Sequence, residues 1–175
     1  GEKFIRAAIR AASTVQRHSP GLATHLFSDW QNYGFNFDKS PHPFSSVAKV
    51  DSPHRRSKVD YLPLTPFDRT LYLDTDTALN ADIRPIFGLL DRFDIALAHA
   101  HRRNSVERLQ PWQLDLPQAF PQYNGGVVLF RKTPSVIKFL EQWREEYHAN
   151  LKDFQQDQRT LRELLWKSDL RIATL

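Results

Sequence analysis

Asp74 and Asp76 stand two residues apart, directly after the apolar run Thr70-Leu71-Tyr72-Leu73. If the chain bends where that run ends, both carboxylates can turn toward one point. Hard oxygen ligands of this kind suit Mg²⁺ or Mn²⁺, which keep open positions for diphosphate oxygens. The plainer alternative is that one aspartate caps a following helix while the other is solvated. Two dense basic clusters, His54-Arg55-Arg56-Ser57-Lys58 and His99-Ala100-His101-Arg102-Arg103, are either solvated loops or faces turned toward an anion. That anion could be phosphate, an acidic acceptor or a membrane surface. Gly125 and Gly126 follow Asn124 and let the backbone approach a ligand closely, although a β-bulge uses glycine equally well. Asp157-Gln158 sits near the start of a helical pattern, where an acidic residue is ordinary.

The elements that must position these residues follow from periodicity. Phe4, Ile5, Ala8, Ile9, Ala12 and Val15 fall at helical spacing, and Ser19-Pro20-Gly21 ends that helix. Residues 22–28 read as a strand, 31–43 as a polar, aromatic loop, 45–50 as a weak strand, and 56–62 as a short helix closed by Pro63. The strand at 70–73 delivers Asp74. A short helix over 83–90 carries Pro85 in its first turn. A buried strand at 94–99, a long loop at 101–122 and a strand at 123–131 come next. The helix at 135–147 puts Val136, Phe139, Leu140, Trp143 and Tyr147 on one face, and a helix at 155–166 and a strand at 170–175 close the chain. Strands alternating with helices predict an α/β fold with a largely parallel sheet, whose ligands sit beyond the carboxyl ends of the strands. Asp74 and Asp76 lie at one such end.

A length of 175 residues suits one domain with a packed core. With 41% apolar and 25% charged residues the chain is not of the disordered class, and no apolar stretch approaches the length of a membrane span. The absence of cysteine excludes disulfides and thiolate metal sites and, with no leader-like pattern at the start, points to the cytoplasm. The formal charge of +4 is concentrated in the two basic clusters. Nucleic acid is not the favoured partner, because no aromatic platform interleaves with them.

Together, Lys58, the run Arg69-Thr70-Leu71-Tyr72-Leu73-Asp74-Thr75-Asp76-Thr77, the run Tyr123-Asn124-Gly125-Gly126-Val127-Val128-Leu129-Phe130 and Asp157-Gln158 resemble glycosyltransferase family 8. This is the family of glycogenin and of the bacterial lipopolysaccharide galactosyl- and glucosyltransferases. The resemblance runs from about Arg56 onward, with the four motifs in family order. It implies a GT-A-type nucleotide-diphospho-sugar transferase fold, an α/β architecture with a mixed, mostly parallel sheet flanked by helices. It further implies a single catalytic domain over residues 1–175 that lacks the family's first strand and its C-terminal segment.

The activity implied is metal-dependent, retaining transfer from a nucleotide-diphosphate sugar, foremost a UDP-sugar, to a saccharide, lipid-linked or protein acceptor. Mn²⁺ or Mg²⁺ is the implied cofactor. By the same resemblance, Asp74 and Asp76 hold the metal, and Asp74 also contacts the donor ribose. Lys58 binds the donor sugar or diphosphate, while Asn124, Gly125 and Gly126 lie along the donor. Asp157 holds sugar hydroxyls, and Gln158 faces the anomeric carbon. Gln158 is a poor nucleophile, so a same-face displacement fits better than a covalent intermediate. Arg102 and Arg103, at the head of the long loop, are expected to border the acceptor.

Two alternatives stand beside this one. A catalytically weakened or inactive GT-A-fold binding protein would suit a chain without the family's first strand and C-terminal metal-binding His. The run Leu73-Asp74-Thr75-Asp76 is also similar to the nucleophile motif of HAD-type phosphatases, but Ala78 stands where that motif needs Thr or Val.

Overall fold

In the computed structural model, which describes residues 1–101, 111–150 and 157–175, the helical spacing at the start of the chain becomes α1 (Glu2–His18). Its buried residues Ile5, Ala8, Ala12 and Val15 belong to the expected stripe. Buried Ser19 ends the helix by donating its N–H to Val15 O at 2.8 Å. Its hydroxyl donates to Asp82 Oδ1 at 2.9 Å and accepts from the Ile83 N–H at 3.0 Å. One turn earlier, Thr14 Oγ1 accepts from the Leu79 N–H at 2.9 Å. The end of α1 therefore pins the stretch that follows Asp74 and Asp76.

α1 belongs to a unit formed by Gly1–Ser57 and Asp74–Gly88. The same unit holds a parallel pair, β1 (His25–Ser28) and β2 (Ser46–Lys49). The strand expected from residue 22 begins only at His25, and Thr24 just before it is tied to the stretch leading into β2. The Thr24 N–H donates to Ser45 Oγ at 3.1 Å and its hydroxyl to Pro43 O at 2.9 Å. The expected loop contains two 3-10 turns. Trp30–Tyr33 is closed by Gly34 at φ 65°, a left-handed conformation that glycine adopts without strain. In Phe37–Lys39 the Asn36 side chain accepts from the Asp38 N–H. Phe37 is buried against Trp30, Phe35, His42 and Phe44, with ring centroids 4.7–6.1 Å away.

The second unit is formed by Lys58–Leu73 and Leu89–Leu175. It opens with α2 (Lys58–Tyr61), which tightens into a 3-10 turn at Leu62–Leu64 around Pro63. The helix expected over 56–62 thus forms only over Lys58–Tyr61, and Pro63, which has no N–H to extend the ladder, falls in the 3-10 turn after it. Four strands follow: β3 (Arg69–Leu73), β4 (Ile95–His99), β5 (Tyr123–Arg131) and β6 (Ile172–Thr174), in the order β3-β5-β4-β6. β5 is antiparallel to both its neighbours and β4 is parallel to β6, so β5 alone runs against the other three. The sheet is mixed, as expected: three of its strands share one direction, while two of its three ladders are antiparallel.

On this sheet pack α3 (Pro134–Ala149) and α4 (Asp157–Lys167). Val136, Leu140 and Trp143 of α3 and Leu161 and Leu165 of α4 join Leu97, Val128 and Phe130 in one core. The segment expected as a helix over 83–90 is instead a 3-10 helix, Arg84–Asp91. Pro85 lacks an N–H, and Gly88 has little helix preference. The last strand shortens to Ile172–Thr174. Residues 155 and 156 of the last expected helix lie outside the described residues. Among the described residues no helix is long and apolar enough to cross a membrane.

β4 and β6 are tied at their starts by Asp94 and Arg171. Arg171 Nη2 donates to Oδ1 at 2.9 Å, and its N–H and Nε donate to Oδ2 at 2.8 and 3.1 Å. The hydrogen-bonded Arg171 guanidinium holds the Asp94 carboxyl below the usual carboxylate range. The folded pKa thus lies below the unfolded value of about 3.9, so the pair's contribution is complete above that pH and fades as pH falls through the folded pKa. Asp94→Asn should lower the thermal midpoint at pH 7 and converge with wild type in strong acid. A gap between the two that stays constant from pH 7 to pH 2 would refute this linkage.

Candidate active site

The register of β5 against β4 breaks at its amino end. Leu97 faces Val128, but Ala98 faces Asn124, so residues 125–127 have no partner on β4. On the opposite side Val127 still pairs with Leu73. Asn124 closes the bulge, its Oδ1 accepting from the Gly126 N–H at 2.8 Å. Gly125 is buried in it. A Cβ at this position would stand 3.2 Å from Asp157 Oδ2, 3.3 Å from Lys58 Nζ and 3.5 Å from the Trp143 ring. Among the described glycines positive φ occurs at Gly21 and Gly34 and not at Gly125, so space rather than backbone conformation demands glycine at 125. The bulge and the close approach are both present, and what approaches Gly125 is an ion pair of the protein itself.

That pair joins Lys58 Nζ, from the start of α2, to Asp157 Oδ2, from the start of α4. The atoms are 3.2 Å apart, and the side chains are 7% and 1% exposed. The Tyr72 ring of β3 lies 5.8 Å from the same ammonium. Trp143 holds the main chain beneath: its Nε1 donates to Asp157 O at 3.0 Å and to Thr160 Oγ1 at 3.2 Å. The Thr160 hydroxyl donates to Asp157 O at 3.0 Å. The Asp157 backbone is thereby held from α3 and its carboxylate from α2. Next to it, half-buried Gln158 accepts at its main-chain oxygen from Gln122 Nε2 at 2.5 Å. Lys58, Gly125 and Asp157 come into contact, with Asn124 and Gln158 as their chain neighbours.

In the first unit, half-buried Asp74 and exposed Asp76 occupy a turn closed by Thr77. The Thr77 N–H and hydroxyl donate to the Asp74 main-chain oxygen at 3.2 and 2.7 Å. After β3 no helical element begins until Arg84, so the capping alternative has no adjoining helix to cap. Both Thr77 bonds end on a backbone oxygen. Carboxylate oxygens are hard donors, the ligand type that suits a divalent cation such as the one the family resemblance implies. Arg102 and Arg103 lie outside the described residues.

Several residues that shape the site were not singled out in the sequence. Tyr72 and Trp143 read as ordinary apolar positions, although a buried Trp N–H must find an acceptor. Arg162 and Glu163 are only 3% and 2% exposed within α4. Their signal was a charged dipeptide inside the run Leu161 to Leu165.

Gly125→Ala should destabilise the protein by about 1–3 kcal/mol, because the new methyl meets a buried ion pair and a buried ring that have little room to yield. Urea unfolding measures this. An unchanged midpoint would show that the pair gives way freely.

Residues 69–175 match the nucleotide-diphospho-sugar transferase family. Among solved structures, the glycosyltransferase GlyE of Streptococcus pneumoniae TIGR4 is similar with a TM-score of 0.67 at 18% identity, over 99% of this chain and 42% of GlyE. The galactosyltransferase LgtC, in complex with donor and acceptor sugar analogues, is similar at 0.58 and 15% identity, over 98% of this chain and 69% of LgtC. A 4-diphosphocytidyl-2C-methyl-D-erythritol synthase from Anaerococcus prevotii DSM 20548 gives 0.54 and 12%, over 97% and 75%. At these identities the likeness is one of fold, and the chain spans about two fifths of GlyE. No curated protein sequence matches it. The family match takes in more than half of the chain and the GT-A-type fold agrees with it: the chain belongs to the nucleotide-diphospho-sugar transferases.

Proposed function

We propose that the protein is a glycosyltransferase of the family 8 type, moving a sugar from a UDP-sugar to a saccharide, lipid-linked or protein acceptor with retention. Family membership supplies the donor class. The observation that carries the reading further is the buried Lys58–Asp157 pair pressed against Gly125 at the first turn of α4. A carboxylate fixed this rigidly presents an acceptor already oriented to any sugar hydroxyl that reaches it, which is how preorganised groups stabilise a transition state.

In this reading Asp157 holds the sugar and Gln158 lies on the reactive face. Lys58 neutralises Asp157 and reaches the donor beside it. Asn124, Gly125 and Gly126 bound the donor along the β5 bulge. Asp74 and Asp76 hold Mn²⁺ or Mg²⁺, which when bound neutralises charge developing on the diphosphate leaving group. Gln158 carries a neutral amide, so it supports a same-face displacement through hydrogen bonding instead of attacking the sugar. The loop headed by Arg102 and Arg103 borders the acceptor. A cytoplasmic location and one catalytic domain over residues 1–175 are part of the same proposal.

Calorimetric titration of UDP-glucose and UDP-galactose, with and without Mn²⁺, tests the metal site. Asp74→Ala and Asp76→Ala should each abolish the Mn²⁺-dependent part of donor affinity and leave the thermal midpoint of the apo protein unchanged. Undiminished affinity in either variant removes that aspartate from the site. The chemical step is tested by contrast. Gln158→Ala should keep donor affinity and lose turnover about 10²-fold, as for a lost preorganised donor, whereas Asp157→Asn should weaken both. If Gln158→Ala binds the donor more weakly yet turns over normally, Gln158 is a binding contact and not a reactive-face residue.

A further inference from the structure

The described part of the long loop, residues 111–122, is bonded to α4 along its length. Glu163 Oε1 accepts from the N–H groups of Trp112, Gln113 and Leu114 at 2.8, 2.7 and 3.0 Å. Arg162 Nε donates to Phe120 O at 3.0 Å, and its Nη2 donates to Pro117 O and Phe120 O at 3.0 and 2.8 Å. The last link is Gln122 Nε2 to Gln158 O at 2.5 Å. As the segment advances, its anchors step back along α4 from Glu163 to Arg162 to Gln158 in the first turn. Arg162, Glu163 and Gln122 are 3%, 2% and 2% exposed.

Burying an arginine and a glutamate is costly, and apolar side chains would cover a helix at lower cost. What the charges add is direction. Three successive N–H groups converging on one oxygen make an anion-holding nest that fixes the backbone at 112–114. The planar guanidinium fork fixes two carbonyls further on. The other Glu163 oxygen, Oε2, is buried and takes no hydrogen bond among the described residues, so a single oxygen carries this grip.

We infer that Glu163, seconded by Arg162, is a positioning residue for sugar transfer. It holds the 112–122 segment in register on α4, so that Gln122 grips the Gln158 carbonyl and sets where Gln158 stands. This rests on the reading of Gln158 as the reactive-face residue.

Two variants of the full chain test it. Glu163→Gln keeps the shape and one oxygen acceptor, and Gln122→Leu cuts only the link to Gln158. By hydrogen exchange, the Gln113 and Leu114 amides should exchange about tenfold faster in Glu163→Gln, while those in the middle of α3 stay protected. With UDP-glucose and UDP-galactose as probes and Mn²⁺ present, donor hydrolysis by each variant should show kcat lowered about tenfold and donor KM within about twofold, as misplacement of a reactive group predicts. The double variant should be no slower than the slower single, because both changes break one chain of contacts. Fast-exchanging amides with wild-type kcat would overturn the inference, as would a rise in KM alone or multiplied losses in the double variant. Should Glu163→Gln lack native near-ultraviolet dichroism, Arg162→Lys, which keeps the charge and loses the fork, is judged by the same kinetic criteria. A wild-type chain that hydrolyses neither probe sinks the proposed function and this role with it. Active wild type with unaltered variants sinks this role alone.

Discussion

Two opposite charges 3.2 Å apart, on side chains 7% and 1% exposed, persist only where the surroundings keep them together. Either charge alone in that place would cost several kcal/mol, and removing one partner of such a pair is far more damaging than replacing both. The pair therefore constrains everything it touches. α2 must start where Lys58 can reach inward, and α4 must start where Asp157 can meet it. Residue 125 must have no side chain, and Trp143 must turn its indole N–H toward the Asp157 carbonyl. The local shape of the second unit at this point reads as the set of conditions under which the pair can be buried.

α4 extends the same logic along its length. Its apolar residues Leu161, Leu164 and Leu165 hold it to the core, as its pattern suggested. Several of its polar residues do not face solvent. Thr160, Arg162 and Glu163 are all buried, and each bonds to something outside the regular ladder: Trp143, the carbonyls at 117 and 120, and the N–H groups at 112–114. A helix so bonded on several sides cannot slide by a residue without breaking charged contacts, which makes its first turn a rigid place to mount Asp157 and Gln158.

What could be read beforehand was what repeats along the chain. α1 follows from its apolar spacing, β5 from a run of apolar residues bounded by breakers, and α3 from a clean amphipathic face. The departures share a feature: they fall where the chemistry of a single residue intervenes. Thr24 bonds to Ser45 just before β1, while Pro63 and Pro85 fall in 3-10 turns where α-turns were expected. The contact between Lys58 and Asp157 was not legible in the same way, since nothing in the spacing of two residues so far apart reveals that they meet. The family resemblance named both residues but gave them separate tasks. The turn holding Asp74 and Asp76 was legible as a strand end, yet the fastening of its downstream side to Thr14 and to Ser19 at the end of α1 was not, because the helical pattern gives a polar residue no partner so far along the chain.

β5 explains why one strand can serve both stability and chemistry. Its carboxyl half, from Val128 to Phe130, is fully buried and paired on both sides, to β3 and to β4. That half supplies the centre of the sheet and needs bulk, which the sequence provides. Its amino half must release Gly125 from the β4 ladder so that the backbone can stand against the Lys58–Asp157 pair, and here bulk would be harmful. Asn124 reconciles the two, because its side-chain oxygen takes up the Gly126 N–H inside the bulge. The break in register is therefore stabilised from within the strand. Val127, still paired to Leu73, marks where ordinary ladder resumes on the β3 side, one residue before the chain leaves β3 at Asp74. The change from small and polar to large and apolar within Asn124-Gly125-Gly126-Val127-Val128 thus records a change of task, from shaping a site to filling a core.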